Sequence, residues 1–76
     1  MVSACVLIRT SGGKFEDVVK MILQIKGVER VFPVLGRYDV VVDMGDMDHR
    51  DLGSAALRIG KMVGVVFTET LVEIEH

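Results

Sequence analysis

One cysteine, one proline, one tyrosine and no tryptophan stand among the 76 residues of this chain. The lone Cys5 cannot close an internal disulfide. A disulfide scaffold is therefore excluded, and a reducing compartment is the natural setting. Apolar runs are short: none reaches the 18 residues that would cross a bilayer, and no basic-then-apolar leader opens the chain. Basic residues are neither in excess nor clustered. Nine Lys and Arg face eleven Asp and Glu, for a net charge of −2. A domain that grips a phosphate backbone by itself is normally more basic than this. The sequence reads as that of a soluble, cytosolic protein with no direct nucleic-acid or membrane partner.

Half of the residues are apolar, so the chain folds rather than staying disordered, and its length allows one domain, residues 1–76. Val2 to Arg9 is β-branched, bounded by Thr10-Ser11-Gly12-Gly13, and reads as a strand. Lys14 to Lys26 places Phe15, Val18, Val19, Ile22 and Ile25 on one helical face. Glu16 and Asp17 open this helix, Lys26 ends it and Gly27 stops it. Val28 to Val34 is a second strand, and Pro33 predicts that it lies at a sheet edge. A third strand runs from Arg37 or Tyr38 to about Met44 and ends at Gly45-Asp46. Asp48 reads as the N-cap of a second helix carrying Leu52, Ala55, Ala56, Ile59 and Met62 at helical spacing. Gly53 and Gly60 interrupt that helix, either for close packing or at a cost to its stability. Val65 to Glu75 is the last strand.

The order β-α-β-β-α-β predicts an α+β, ferredoxin-like fold: a four-stranded antiparallel sheet with two helices on one face. A sheet with one wet face alternates apolar and polar residues. Here Ala4, Val6 and Ile8 point one way while Cys5 and Leu7 point the other, and Val41 opposes Val40 and Val42. The face without helices therefore also needs cover, and a second copy of the chain is the expected cover. This predicts a homodimer of the dimeric α/β-barrel type.

Most polar constellations have a plain structural explanation. Asp46, Asp48, His49 and Asp51 match no zinc or EF-hand spacing and read as a helix-capping turn. Cys5 reads as a small hydrophobe, with no histidine placed to make it a nucleophile. Gly12-Gly13 lacks the rest of a phosphate loop, no carboxylate pair stands out for acid–base work, and His76 is terminal. No catalytic residue, metal ligand or cofactor site is assigned. The exception is Val34-Leu35-Gly36-Arg37-Tyr38-Asp39, with strands on both sides. A hairpin turning at Gly36 exposes backbone N–H groups beside an arginine, a tyrosine and an aspartate. Thr68 and Thr70, two apart in the last strand, share a face; they are either ordinary strand residues or a polar pair lining a pocket.

Val34-Leu35-Gly36-Arg37-Tyr38-Asp39-Val40 resembles the V-x-G-x-Y/F-D-hydrophobic signature of the effector-binding (RAM) domain of Lrp/AsnC transcriptional regulators. Gly64-Val65-Val66-Phe67-Thr68-Glu69-Thr70 resembles the family's G-V-x-x-T-x-T segment, Gly27-Val28 its strand-opening G-V, and Asp48 the aspartate before its second helix. The resemblance covers essentially the whole chain. Val63, where proline is common, and Gly60, where bulkier residues are usual, depart from it. It implies a βαββαβ domain that dimerises through its sheets and assembles further into rings of dimers. It also implies a small effector, usually an amino acid, bound between dimers near the β2–β3 loop. The chain resembles the stand-alone form of this domain, without the helix-turn-helix, so full-length Lrp/AsnC-type regulators are further candidate partners. The candidate ligand set is Gly36, Arg37, Tyr38, Asp39, Thr68 and Thr70, with Arg58 from the second helix. Loop N–H groups supply donors for a carboxylate. Asp39 either accepts from an ammonium or caps the hairpin, or does both.

The alternatives are a small dimeric α/β-barrel enzyme and a structural or metal-handling oligomer. The enzyme reading needs a histidine or acid directed into the sheet face, and strands one and three are mostly apolar there. The −2 charge predicts no tight binding to duplex DNA by this chain alone. A gel shift at low salt, where non-specific binding is strongest, is expected to show no complex at submicromolar protein.

Overall fold

A computed structural model of the chain describes residues 2–74. The elements follow the expected order: β1 (Val2–Thr10), α1 (Phe15–Ile22), β2 (Val28–Pro33), β3 (Val40–Met47), α2 (His49–Gly60) and β4 (Val65–Val72). The four strands form one antiparallel sheet in the order β2-β3-β1-β4, the ferredoxin-like arrangement. Pro33 ends β2, which is indeed an edge strand. The register pairs Val6 with Val42 and Ile8 with Val40, so four β-branched side chains stand together on the helix side. Val18 and Ile22 from α1 and Ile59 from α2 close over them, all essentially fully buried. Burial of side chains this size is worth about 1.5–3 kcal/mol each, and the core owes its stability to them.

Local chemistry explains the element ends. Asp48 caps α2: its Oδ1 accepts the Asp51 N–H at 2.8 Å, satisfying one of the helix's orphan donors. The first helix is shorter than its apolar spacing predicts. Past Ile22 the chain tightens, with the Gln24 N–H on the Met21 carbonyl and the Ile25 N–H on the Ile22 carbonyl. Ile25 is still buried, so the apolar spacing outlasts the α-helix. The third strand begins later and ends later than expected. Asp39 is not yet in the ladder, and Gly45 does not stop it: the Gly45 N–H donates to the Gly27 carbonyl at 2.8 Å and the strand continues to Met47. β4 ends at Val72, although the Glu73 N–H still bonds the Ser3 carbonyl. Glu73 and Ile74, expected to continue the strand, lie beyond its end, and Glu75 and His76 lie outside the described residues.

The glycines of α2 and of its exit differ in kind. A methyl group added at Gly53 would meet nothing within 4 Å, so close packing is not its purpose. Gly64 has φ +98°, and an added Cβ would lie 2.8 Å from the Lys14 Cβ. Its carbonyl accepts the Ser11 N–H at 2.8 Å, tying the α2–β4 turn to the β1–α1 loop. In urea unfolding at fixed protein concentration, Gly53→Ala is expected to raise stability by about 0.5–1 kcal/mol. Gly64→Ala is expected to lower it by more than that.

Candidate functional site

The connection between β2 and β3, residues 34–39, is closed by its own ends. The Val34 N–H donates to the Asp39 carbonyl at 3.0 Å. Asp39 then fastens the loop to the neighbouring strand. Its N–H donates to the Ile8 carbonyl at 2.8 Å, and its Oδ2 accepts the Thr10 N–H at 2.8 Å. Of the two roles open to Asp39, hairpin capping takes another form: the carboxylate bonds a backbone N–H of β1 rather than one of its own loop, with Oδ1 free of any protein donor among the described residues. Gly36 sits at φ +138° with open space where a side chain would be. Among the described residues, no backbone acceptor takes the N–H groups of residues 35–38. A hollow of about 320 Å³ lies beside the loop, lined by Thr10, Ser11, Gly13, Phe15, Val34 and Asp39.

Tyr38 leaves this hollow and leans over the sheet face that carries no helices. Its hydroxyl donates to the Glu69 carboxylate. Its ring stacks on Phe67, centroids 6.3 Å apart and planes 19° off parallel. The hydrogen bond to Glu69 is the main cause that raises the Tyr38 pKa above the ordinary phenol value of 10.0; partial desolvation and the Glu69 charge add to it, while Arg37 and Arg9 oppose it. Glu69 was not among the expected site residues. The signal for it was present: strand alternation puts Glu69 on the face opposite Thr68 and Thr70.

The remaining expected residues are not brought together within one copy. Thr68 and Thr70 pair with Ile8 and Val6 and so share the helix side of the sheet, half-buried. Arg58 lines a different hollow, of about 450 Å³, with Lys26, Gly27, Asp46, Met47 and Ser54. That hollow opens where β2 starts and β3 ends. The Gly36–Asp39 loop lies at the other end of β3, roughly 25 Å away for an eight-residue strand. Tyr38 and Asp39 flank the same loop but serve opposite faces.

An open-faced βαββαβ sheet with a latched β2–β3 loop defines a small ferredoxin-like domain. Comparison with known proteins narrows it. No family model and no curated protein matches the sequence. Solved structures do. The protein TTHA0845 from Thermus thermophilus is 31% identical with a TM-score of 0.91, the match covering 100% of this chain and 96% of that one. An FFRP protein is 31% identical with a TM-score of 0.88, covering 97% of this chain and 100% of that one. AsnC from Escherichia coli has the same fold at 16% identity and a TM-score of 0.87, covering 99% of this chain and 52% of that one. A Neisseria meningitidis transcriptional regulator solved with L-Met has it at 16% identity and 0.85, covering 97% and 50%. The chain thus spans about half the length of those two regulators. It belongs to the Lrp/AsnC family of effector-binding (RAM) domains. Among its described residues no helix is long and apolar enough to cross a membrane.

With one tyrosine and no tryptophan, the phenol is easily followed by ultraviolet titration. The Tyr38 midpoint is expected above that of the unfolded chain and to fall back toward it in Glu69→Gln. A raised native value means that the bond favours the folded state at pH below the unfolded phenol's range. That contribution is lost as pH rises through the native value.

Proposed function

We propose that this chain is a binding and assembly module. It takes a small amino acid at the Gly36–Asp39 loop and works as a homodimer or a larger ring of dimers. The observation that carries this reading is the loop itself: N–H groups of residues 35–38 without backbone acceptors, a free carboxylate oxygen on Asp39, and a hollow beside them. A zwitterion needs donors for its carboxylate and an acceptor for its ammonium, and the loop offers both within a few residues. Arg37, exposed on the same loop, adds a cation for the carboxylate. Thr68 and Thr70 stand near the loop's end of the sheet but on β4, across β1 from it, and Arg58 lies at the opposite end, so in this reading Arg58 reaches the ligand from a neighbouring copy.

The L-Met complex of the Neisseria regulator, which shares this fold, supports an amino acid as the ligand class. The FFRP and AsnC relatives support a role in regulation over one in catalysis. Mixed assembly with full-length Lrp/AsnC-type regulators follows from the same reading, since the shared domain is the part that would join them.

A thermal-shift screen against the twenty amino acids tests the proposal, because a ligand that binds only the native state raises its apparent stability. One amino acid, or a chemically related few, is expected to raise the transition. Asp39→Asn keeps an oxygen for the Thr10 N–H and removes the charge. It is expected to retain fold and assembly while losing about tenfold or more in affinity, the worth of a charge-assisted bond. Undiminished affinity in that variant would move the site elsewhere.

A further inference from the structure

The hollow beside the β2–β3 loop has two walls. One is the loop itself, with Val34 and Asp39. The other is the β1–α1 connection, with Ser11, Gly12, Gly13 and Phe15. This second wall is fixed in place. The Ser11 N–H donates to the Gly64 carbonyl at 2.8 Å, and the Lys14 N–H closes a turn on the Ser11 carbonyl at 3.1 Å. Asp39 Oδ2 holds the Thr10 N–H at 2.8 Å, so the two walls are tied together. Phe15 packs on the core from one side and lines the hollow from the other. The two glycines of the turn differ in kind. Gly13 stands at φ +79°, and a turn whose third residue has positive φ takes glycine there for that reason. Gly12, at the second position, has no positive φ, and second positions of such turns accept most residues. A Cβ added at Gly12 would meet nothing within 4 Å. Neither backbone nor packing calls for a glycine, and an alanine would favour folding by narrowing the unfolded ensemble. Gly53 is equally unconstrained, yet it lines neither of the hollows described above, whereas Gly12 lines this one. A side chain left out of such a wall lets a ligand come close to the backbone.

Resting on the amino-acid reading above, we propose that Gly12 sets the size of the ligand's side chain, and that the ligand is an apolar amino acid of leucine or methionine size. Its ammonium and carboxylate stay with Asp39 and the loop N–H groups. Its side chain extends across the hollow between Phe15 and Val34, the apolar groups on the two walls. Gly12 leaves the depth for it. The hollow, about 320 Å³, is at the low end for ligand sites, roughly 300–1,000 Å³. That size suits one amino acid and not a peptide or a nucleotide. A side-chain carboxylate would stand near Asp39, with Glu16 and Asp17 following Phe15 in the first turn of α1, so acidic amino acids are disfavoured by like charge.

The test is isothermal titration of L-alanine, L-leucine, L-methionine and L-glutamate into the parent, Gly12→Ala and Gly12→Val. Circular dichroism and sedimentation check fold and assembly, and Gly53→Ala controls for the general effect of replacing a glycine. The parent is expected to bind L-leucine or L-methionine about tenfold or more tightly than L-alanine, and not to bind L-glutamate. Gly12→Val is expected to weaken the larger ligands by about tenfold or more and to spare L-alanine, so that the parent's preference disappears. Gly12→Ala is expected to go part of the way, and it carries the test alone should the valine variant fail to fold. Gly53→Ala is expected to bind all four as the parent does. A parent whose strongest ligand among the twenty is not an apolar amino acid of this size overturns the inference. So do Gly12 variants that keep the parent's affinities or lose every ligand to the same degree; the loop reading is then judged separately by Asp39→Asn. A parent that binds none of the twenty overturns both.

Discussion

A four-stranded sheet has two faces, and this chain carries helices for one. Almost everything else about the molecule answers to that constraint. The register of β1 against β3 gathers Val6, Ile8, Val40 and Val42 on the helix side, where α1 and α2 bury them. The same register commits Leu7, Val41 and Phe32 to the other side, where no helix among the described residues covers them. In a strand with side-chain period two, the two choices cannot be made separately.

The β2–β3 loop sits at the border of these two faces, and its residues divide between them. Asp39 turns inward and locks the loop to the end of β1 through the Thr10 N–H. Tyr38 turns outward and rests on Phe67 and Glu69. A loop pinned at one side by a carboxylate and at the other by a phenol holds its backbone in a fixed shape without using the N–H groups of residues 35–38. For the function proposed above, a loop shaped in advance loses less ordering entropy when it takes a ligand.

The sequence made the fold legible because its signals were long and independent. Strand and helix periods, the Asp48 cap and the edge proline all agreed, and the element order followed. Boundaries were less visible. Gly45 read as a stop, yet a glycine in a strand is also what a bulky neighbour requires, and Glu29 occupies the space beside it. The first helix was read four residues too long at its end and one at its start, the end because Ile25 keeps the apolar spacing after the hydrogen bonding has changed. The candidate site was legible as a loop but not as an assembly. Alternation alone separates Thr68 and Thr70 from Glu69, but which face Tyr38 would choose depends on where the loop lands. Arg58 was placed by its helix, and only the topology shows that it opens at the opposite end of the sheet.

The strand order has a consequence for how such a chain comes into being. β1 lies in the interior of the sheet, bonded on one side to β3 and on the other to β4, the last element made. The pairing of Ala4 with Val72 joins residues nearly the whole chain apart, so the sheet is built on contacts that form slowly. During synthesis, β1 emerges first and must wait for β4 with one edge unpaired and one apolar face bare. An open edge of that kind invites pairing with any other extended chain. The interval between the making of β1 and of β4 is therefore when this domain is most exposed to misassembly, and a delay between the two would lengthen it.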